Sequence, residues 1–151
     1  MRALLQRVSR ARVTSRASAD DAPVETGRIG HGLVALVGVT HTDDAAGASR
    51  LADRIATLRI FEDDEGAMNR SVVEVGGGVL VVSQFTLYAD TRKGRRPSFV
   101  AAARPEQAEP LVALVVDGLR RHGLDVATGR FRTSMEVELI NDGPVTVSLE
   151  V

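Results

Sequence analysis

Two apolar segments constrain the fold of this chain more than any other feature. One is GLVALVGV, Gly32 to Val39, and the other begins the stretch VLVVSQFTLYA at Val79. Both runs are nearly continuous, which predicts strands buried on both faces. Helical spacing occurs in only two places, from Asp43 or Asp44 to about Arg59 and from Glu106 to His122. Two helices are too few to connect all the strands as crossovers. We therefore predict a single α+β domain, with a mostly antiparallel or mixed sheet curled toward a partial barrel.

Weaker patterns fill in the remaining elements. Residues 2–16 predict one long or bent strand, or two strands, and Leu124 to Thr128 predicts another. Between Met135 and Val151, alternation with Asp142-Gly143 in the middle predicts two strands joined by a hairpin turn. Gly76 to Gly78 predicts a tight hairpin turn, and FEDDEGAMNRS, residues 61–71, a polar loop.

Composition excludes several kinds of function. The 151 residues suit one domain, residues 1–151, and the absence of cysteine excludes disulfides, thiolate metal sites and a cysteine nucleophile. No apolar run reaches the length of a membrane span. The arginine-rich N-terminus resembles a transit peptide, but its alternation favours a strand, so a cytoplasmic location is expected. Net charge is −1, which gives no overall attraction to nucleic acid, although basic patches remain.

Few residues are placed for conventional catalysis. The three histidines are isolated in sequence, and no serine lies in a G-x-S-x-G motif. We therefore expect neither a metal nor a cofactor. Two polar segments remain, SQFTL (Ser83 to Leu87) and NDGPVT (Asn141 to Thr146). The first is either a strand emerging into solvent or a pocket at the end of a strand. The second is either a hairpin with its proline on a sheet edge or a recognition element.

Together, SQFTLYADTRKGRRPSF and NDGPVT resemble the D-aminoacyl-tRNA deacylases, and the similarity extends over the whole chain. The resemblance implies a cytoplasmic homodimer that hydrolyses the ester between a D-amino acid and the 3′-terminal ribose of tRNA. Its expected partners are the acceptor end of aminoacyl-tRNA and a second copy of the chain, with no DNA and no membrane. One departure is Arg132-Thr133-Ser134, where the family has small residues before its methionine.

The resemblance also assigns roles to residues. It implies a cis Gly143-Pro144 pair that enters the partner's pocket, excludes L-aminoacyl groups and admits glycyl-tRNA mischarged on the alanine tRNA. Thr86 is either a nucleophile or, as we favour, part of a backbone oxyanion site with Phe85. Gln84 and Ser83 orient the substrate. Further pocket residues on the C-terminal segment are Asn141, Val145, Thr146 and Met135.

The basic loop after SQFTL admits more than one interpretation. Its cationic residues are Arg92, Lys93, Arg95 and Arg96, which suit a phosphate clamp near the acceptor stem but also an ordinary solvated loop. The alternative functions are a non-catalytic tRNA- or RNA-binding module and a hydrolase of small esters that does not use RNA. Scarce aromatic residues argue against a base-stacking surface.

Overall fold

The structure, a computed structural model, describes all residues from Met1 to Val151. It contains eight strands, two α-helices and one short 3₁₀ helix. In chain order these are β1 (Arg2–Arg16), β2 (Val24–Ile29), β3 (Gly32–Gly38), α1 (Ala45–Thr57), β4 (Phe61–Glu62), β5 (Met68–Arg70), β6 (Gly78–Ser83), the 3₁₀ helix (Phe85–Tyr88), α2 (Pro105–Arg121), β7 (Val126–Thr128) and β8 (Ser134–Glu150).

The main sheet is mixed and curls toward a closed barrel, as predicted. Strand β1 pairs antiparallel with β2, β3 and β8, whereas β6 lies parallel to both β3 and β7. Strands β2 and β7 end the order β2-β1-β3-β6-β7, yet they approach each other closely. A Cβ atom added to Gly27 on β2 would lie 2.8 Å from the backbone oxygen of Thr128 on β7. The sheet is therefore nearly closed on itself.

Both faces of the central strands are buried, which confirms the interpretation of the apolar runs. On β3, Leu33, Ala35 and Val37 pack in the core under the two helices. Val34 packs in a second, smaller core that also contains Leu80 of β6. Burying side chains of this size contributes roughly 1.5–3 kcal/mol each, so the two cores together hold the strands in register.

The two helices lie close to their predicted positions and pack against each other. Asp44 caps α1, because its carboxylate accepts a hydrogen bond of 2.8 Å from the Gly47 amide. Pro105 occupies the first turn of α2, where no amide donor is needed. A Cβ atom on Gly118 of α2 would lie 2.5 Å from Ala52 Cβ of α1, so glycine there permits the close helix contact.

The predicted C-terminal hairpin is wrong. Strand β8 runs unbroken from Ser134 to Glu150 and pairs along almost the whole of β1. Asn141 pairs with Val8 and Thr146 pairs with Gln6, so the residues between Asn141 and Thr146 bulge out of the ladder. A hairpin would have reversed the chain, but both halves of β8 run in the same direction along β1. Proline is compatible with this position because a bulge leaves residues unpaired.

Three other local predictions need correction. The apolar strand β6 ends at Ser83, and the next residues form the 3₁₀ helix instead of continuing the strand. The glycines at 76–78 turn the chain but make no hairpin, because β5 and β6 do not pair. Residues 61–71 contain the small hairpin of β4 and β5, whose turn is held by amides of Glu65 and Ala67 donating to the Asp63 carboxylate. Strand β2 was not predicted.

Candidate active site

The end of β6 opens into a cleft of about 510 Å³ between the sheet and the start of α2. The Gln84 amide donates a 2.7 Å hydrogen bond to the Val37 carbonyl, which fixes the point where the chain leaves the sheet. From there the 3₁₀ helix turns Phe85 and Thr86 to the surface. The lining is mostly apolar and consists of Val37, Val39, Ser83, Gln84, Phe85, Phe99, Ala102, Ala103, Pro105, Ala108, Val112, Phe131 and Arg132.

Thr86 has no catalytic base beside it. Its hydroxyl is exposed and accepts a hydrogen bond from the Gln84 side-chain amide. No histidine, lysine or carboxylate makes a hydrogen bond with that hydroxyl, and none lines the cleft. The amides of Phe85 and Thr86 lie in the first turn of the 3₁₀ helix, where amides have no acceptor within the helix. No side chain caps this helix. The chemistry available here is therefore donation by backbone amides, not proton abstraction by a side chain.

An aromatic pair stands at the mouth of the cleft. The rings of Phe85 and Phe99 meet edge to face, with centroids 5.1 Å apart and planes at 72°. Both side chains are exposed although they are large and apolar. Exposed aromatic surface beside an apolar cleft is typical of a site that binds a flat or apolar group.

The NDGPVT bulge lies elsewhere on the molecule. Gly143 and Pro144 are exposed, the peptide bond between them is cis, and Gly143 has a φ of 123°. Asn141 holds the base of the bulge with its side chain. Its oxygen accepts from the Val145 amide at 3.0 Å, and its nitrogen donates to the Thr146 hydroxyl at 2.9 Å.

Arg7 supports the bulge from beneath, and the sequence reasoning did not identify it. Its side chain is only 5% exposed and donates to the carbonyls of Ile60 and Asp142, at 2.8 and 3.2 Å. The Asp142 carboxylate lies 3.3 Å from Arg7 Nε, and the Glu62 carboxylate lies 3.7 Å from Nη2. The alternation of β1 could have revealed Arg7, because it has the same phase as the buried Ala3 and Leu5.

The basic loop is solvent-exposed throughout. Arg92 is bound to Asp90 through two guanidinium contacts of 2.9 and 2.7 Å, and hydrogen bonds from the Arg92 side chain and amide hold the pKa of Asp90 well below its ordinary value. Lys93, Arg95 and Arg96 form no ion pair, so three of the four predicted cations are available to a ligand.

The sequence profile of the family described as D-Tyr-tRNA(Tyr) deacylase matches residues 4–150 of the chain. The chain belongs to this family. Among its relatives, the D-aminoacyl-tRNA deacylase of Symbiobacterium thermophilum is 59% identical over 99% of this chain and 95% of its own length. The protein of the same name from Heliobacterium modesticaldum is 60% identical, with 99% and 96% covered.

Two solved structures share the fold of this deacylase family member. One, described as a c-Myc DNA unwinding element binding protein, superposes with a TM-score of 0.89 at 36% identity and covers 100% of this chain and 99% of its own. The other, a probable eukaryotic D-amino acid tRNA deacylase, has a TM-score of 0.79 at 17% identity, with 99% and 98% covered, and shows the fold alone. No helix in the structure combines the length and hydropathy needed to cross a lipid bilayer.

The residues predicted for a deacylase site fall into separate groups within one chain. At the cleft, Val37 of β3 pairs with Ser83. At the base of the bulge, Gly32 of β3 pairs with Val8, which in turn pairs with Asn141. Gly32 and Val37 lie five residues apart along β3, which corresponds to roughly 17 Å at about 3.3 Å per residue. Met135 lines a neighbouring cleft that shares Ser83, Val112 and Phe131 with the first. No group of histidine and carboxylate side chains is arranged to hold a metal ion.

Proposed function

We propose that the chain hydrolyses the ester bond of D-aminoacyl-tRNA and releases the D-amino acid and free tRNA. The observation that supports this proposal most strongly is the full-length identity of 53–60% to relatives named D-aminoacyl-tRNA deacylase. The cleft at the end of β6 suits this reaction, because an aminoacyl ester is already activated and needs no strong base. A homodimer working in the cytoplasm, where charged tRNA is consumed, completes the proposal.

The proposed chemistry uses the backbone at the start of the 3₁₀ helix. Water attacks the ester carbonyl, and the amides of Phe85 and Thr86 stabilise the negative charge that develops on its oxygen. The C–O bond to the ribose then breaks, and the ribose oxygen leaves with the proton that the attacking water gives up. The adjacent ribose hydroxyl positions the water, while Ser83 and Gln84 orient the ester and the terminal adenosine. The absence of a base beside Thr86 supports this scheme over nucleophilic attack.

Replacing Thr86 by Val tests the role of the hydroxyl. The backbone scheme predicts a turnover loss below about tenfold, because valine keeps the amide and the shape of the side chain. Loss of a nucleophile instead costs on the order of 10³-fold or more. Single-turnover release of D-tyrosine from tRNA separates the two, and Thr86→Ser, which retains a hydroxyl, is the matched control. A loss of the larger size with Val but not with Ser would establish Thr86 as the nucleophile.

Chiral selection is assigned to Gly143 and Pro144 acting in the cleft of the partner subunit. Two features support this. Both residues are exposed at the bulge, and the bulge is roughly 17 Å along the sheet from the cleft of its own chain. In the proposal, their carbonyls hold the substrate ammonium and leave room only for hydrogen where an L side chain would project. Exclusion by backbone rejects all L residues alike, which a side-chain pocket could not do.

Glycyl-tRNA tests this selection directly. Glycine has no side chain to exclude, so we expect the protein to cleave glycyl-tRNA, including glycine mischarged on the alanine tRNA. The measurement is release of glycine at a protein concentration that clears D-tyrosyl-tRNA and spares L-tyrosyl-tRNA. Glycyl-tRNA that survives under those conditions would contradict selection by exclusion.

The exposed cations of the basic loop are assigned to the phosphates of the acceptor stem. Lys93, Arg95 and Arg96 are unpaired and lie in the chain between the cleft residues Phe85 and Phe99. Affinity for tRNA should then fall steeply with salt, and Arg95→Ala or Arg96→Ala should each reduce the slope of the log–log plot by about 0.7–0.9. Unchanged slopes in both variants would remove the loop from the interface.

A second candidate is nucleic-acid binding without hydrolysis, and one observation favours it. The structural neighbour at 36% identity is described as binding a DNA unwinding element. Release of amino acid from D- and L-tyrosyl-tRNA and from a simple D-tyrosine ester distinguishes the candidates. Cleavage of D-tyrosyl-tRNA in strong preference to the other two substrates supports the deacylase, and binding without any release supports the module. Efficient cleavage of the small ester supports a general esterase.

A further inference from the structure

Arg132 is the only charged residue that lines the cleft. The rest of the lining is apolar apart from Ser83 and Gln84. A single positive charge in such a cleft is complementary to an anionic part of a ligand, because no carboxylate within the cleft competes for it. Nothing in the chemistry proposed above uses Arg132.

The backbone at Arg132 adopts a left-handed conformation, which is unfavourable for arginine but not for glycine. Its φ is 59°, and it is the only non-glycine residue in the chain with positive φ. A hydrogen bond of 2.8 Å from the Thr133 hydroxyl to the Arg130 carbonyl closes the turn around it. Non-glycine residues in this left-handed region are disfavoured, so an arginine kept there points to a use for its side chain.

The guanidinium of Arg132 is also free. Its side chain forms no hydrogen bond and no ion pair and is exposed to solvent. By contrast, Arg12, Arg16 and Arg28 each bind a glutamate. A free guanidinium presents a planar set of donors that matches two phosphate oxygens.

We propose that Arg132 binds a phosphodiester at the 3′ end of the substrate tRNA while the terminal ester lies at Gln84 and Phe85. This assignment rests on the proposed deacylase function and adds a substrate-binding residue to it. The aminoacyl group itself carries an ammonium, which Arg132 would repel. Amino-acid side chains differ between substrates, whereas the phosphate is common to all of them.

The test compares three substitutions of Arg132 with one matched control. Arg132→Gln removes the charge and keeps the length, Arg132→Gly also suits the left-handed backbone, and Arg132→Lys keeps the charge. Arg130→Gln is the control, because Arg130 is also exposed and unpaired but lines the neighbouring cleft. Each protein is assayed with D-tyrosyl-tRNA from about 50 to 200 mM salt and with a D-tyrosine ester that has no phosphate.

For Gln and Gly we expect KM to rise roughly tenfold and kcat to change by less than about twofold. The salt slope should fall by about 0.7, the value for one contact on a single strand, and Lys should restore most of it. Cleavage of the simple ester should not change. Agreement between Gln and Gly excludes a purely conformational effect, since only Gly relieves the backbone.

Several results would overturn the assignment. One is a wild-type KM and salt slope in Arg132→Gln while D-tyrosyl-tRNA is still cleaved, which leaves the deacylase function intact. Equal losses in Arg130→Gln would show a general charge effect, and equal losses on the simple ester would place Arg132 at the aminoacyl group. If the wild-type protein does not cleave D-tyrosyl-tRNA at all, the proposed function fails and this assignment fails with it.

Discussion

Replacing Arg7 by Met should destabilise the protein and also impair the bulge that Arg7 supports. Methionine matches the length and apolar stem of arginine, so the change removes the guanidinium without leaving a large cavity. The Ile60 carbonyl loses a buried hydrogen bond of 2.8 Å, and the Asp142 carbonyl loses a partly buried one of 3.2 Å. The ion pairs to the carboxylates of Asp142 and Glu62 are lost as well.

The size of the destabilisation depends on whether water can reach each group that Arg7 no longer contacts. A buried carbonyl left without a donor costs about 1–3 kcal/mol, and a partly buried one costs less because water can reach it. The side chains of Asp142 and Glu62 are 47% and 60% exposed, so their carboxylates remain hydrated in the variant. Loss of the two ion pairs therefore lowers the free energy of unfolding by less than about 1 kcal/mol. The expected decrease in the free energy of unfolding is therefore about 2–4 kcal/mol.

Arg12→Met is a matched control on the same strand. Arg12 binds Glu138 at 2.8 Å, but the two side chains are 51% and 63% exposed. Such a surface pair contributes only about 0–1 kcal/mol. Urea unfolding followed by circular dichroism measures both variants, since the chain has no tryptophan. Protein concentration must be equal, because association would shift the apparent stability. The two variants should differ by about 1–4 kcal/mol, which in a domain of this size separates their thermal midpoints by roughly 2–16 °C.

The same pair of variants tests the link to function. If Gly143 and Pro144 act in the partner's cleft, Arg7→Met should reduce cleavage of D-tyrosyl-tRNA more than about tenfold at temperatures where it remains folded, because the support of the bulge is gone. Arg12→Met should keep nearly full activity. Equal stabilities of the two variants would refute the structural reasoning. A destabilised Arg7→Met with full activity would refute the functional part.

Three further predictions follow from local geometry. Gly143→Ala should lower the free energy of unfolding, measured by urea unfolding, by about 1–2 kcal/mol. The φ of 123° at this position disfavours a side chain, and the new Cβ would lie 2.7 Å from Val145 Cγ2. A variant as stable as the wild type would contradict this prediction. Burial raises the pKa of Tyr88, the single tyrosine, to about 12. The stability that depends on its neutral hydroxyl should therefore be complete below about pH 10 and be lost as the pH rises toward 12. An ultraviolet titration that gives an ordinary tyrosine pKa would contradict this prediction. Arg92→Ala should raise the depressed pKa of Asp90 in an NMR titration, but only part of the way to its ordinary value, because the amide of residue 92 still donates to the carboxylate. In the wild type the stabilisation from the pair should weaken only as the pH falls below about 4. Identical titration in both proteins would show that the ion pair is absent in solution.

Features set by local pattern were predictable, and features set by long-range pairing were not. The apolar runs of β3 and β6 and the amphipathic faces of α1 and α2 could be recognised because burial dictates their periodicity. Strand β2, VETGRI, carries too few apolar residues to be recognised, and it forms because β1 offers a partner. Propensity alone does not encode such tertiary pairing.

The candidate site shows the same division. The polar residues that end β6 stand out in the sequence because a strand buried on both faces does not need them. Arg7 was missed because one arginine in a strand reads as a solvated side chain, although its phase along β1 places it inside. The position of Arg132 in the cleft follows from the path of the β7–β8 connection, which no short pattern specifies.

The bulge at NDGPVT has a structural role in addition to its proposed use in recognition. Four residues lie between Asn141 and Thr146 on β8, whereas β1 has only Arg7 between the paired Val8 and Gln6. The register between β1 and β8 shifts a second time between Val8 and Arg10. Leu139 and Val145 are six residues apart, and in a regular strand an even separation places two side chains on the same face. The irregular segment between them changes this, because Leu139 packs toward the small core inside the barrel while Val145 packs in the core under the helices. Without the bulge both would face the same side, and β8 could serve only one core. The segment proposed to read substrate chirality is thus the segment that lets one strand cover two cores, so its position is fixed by the packing on both sides of it.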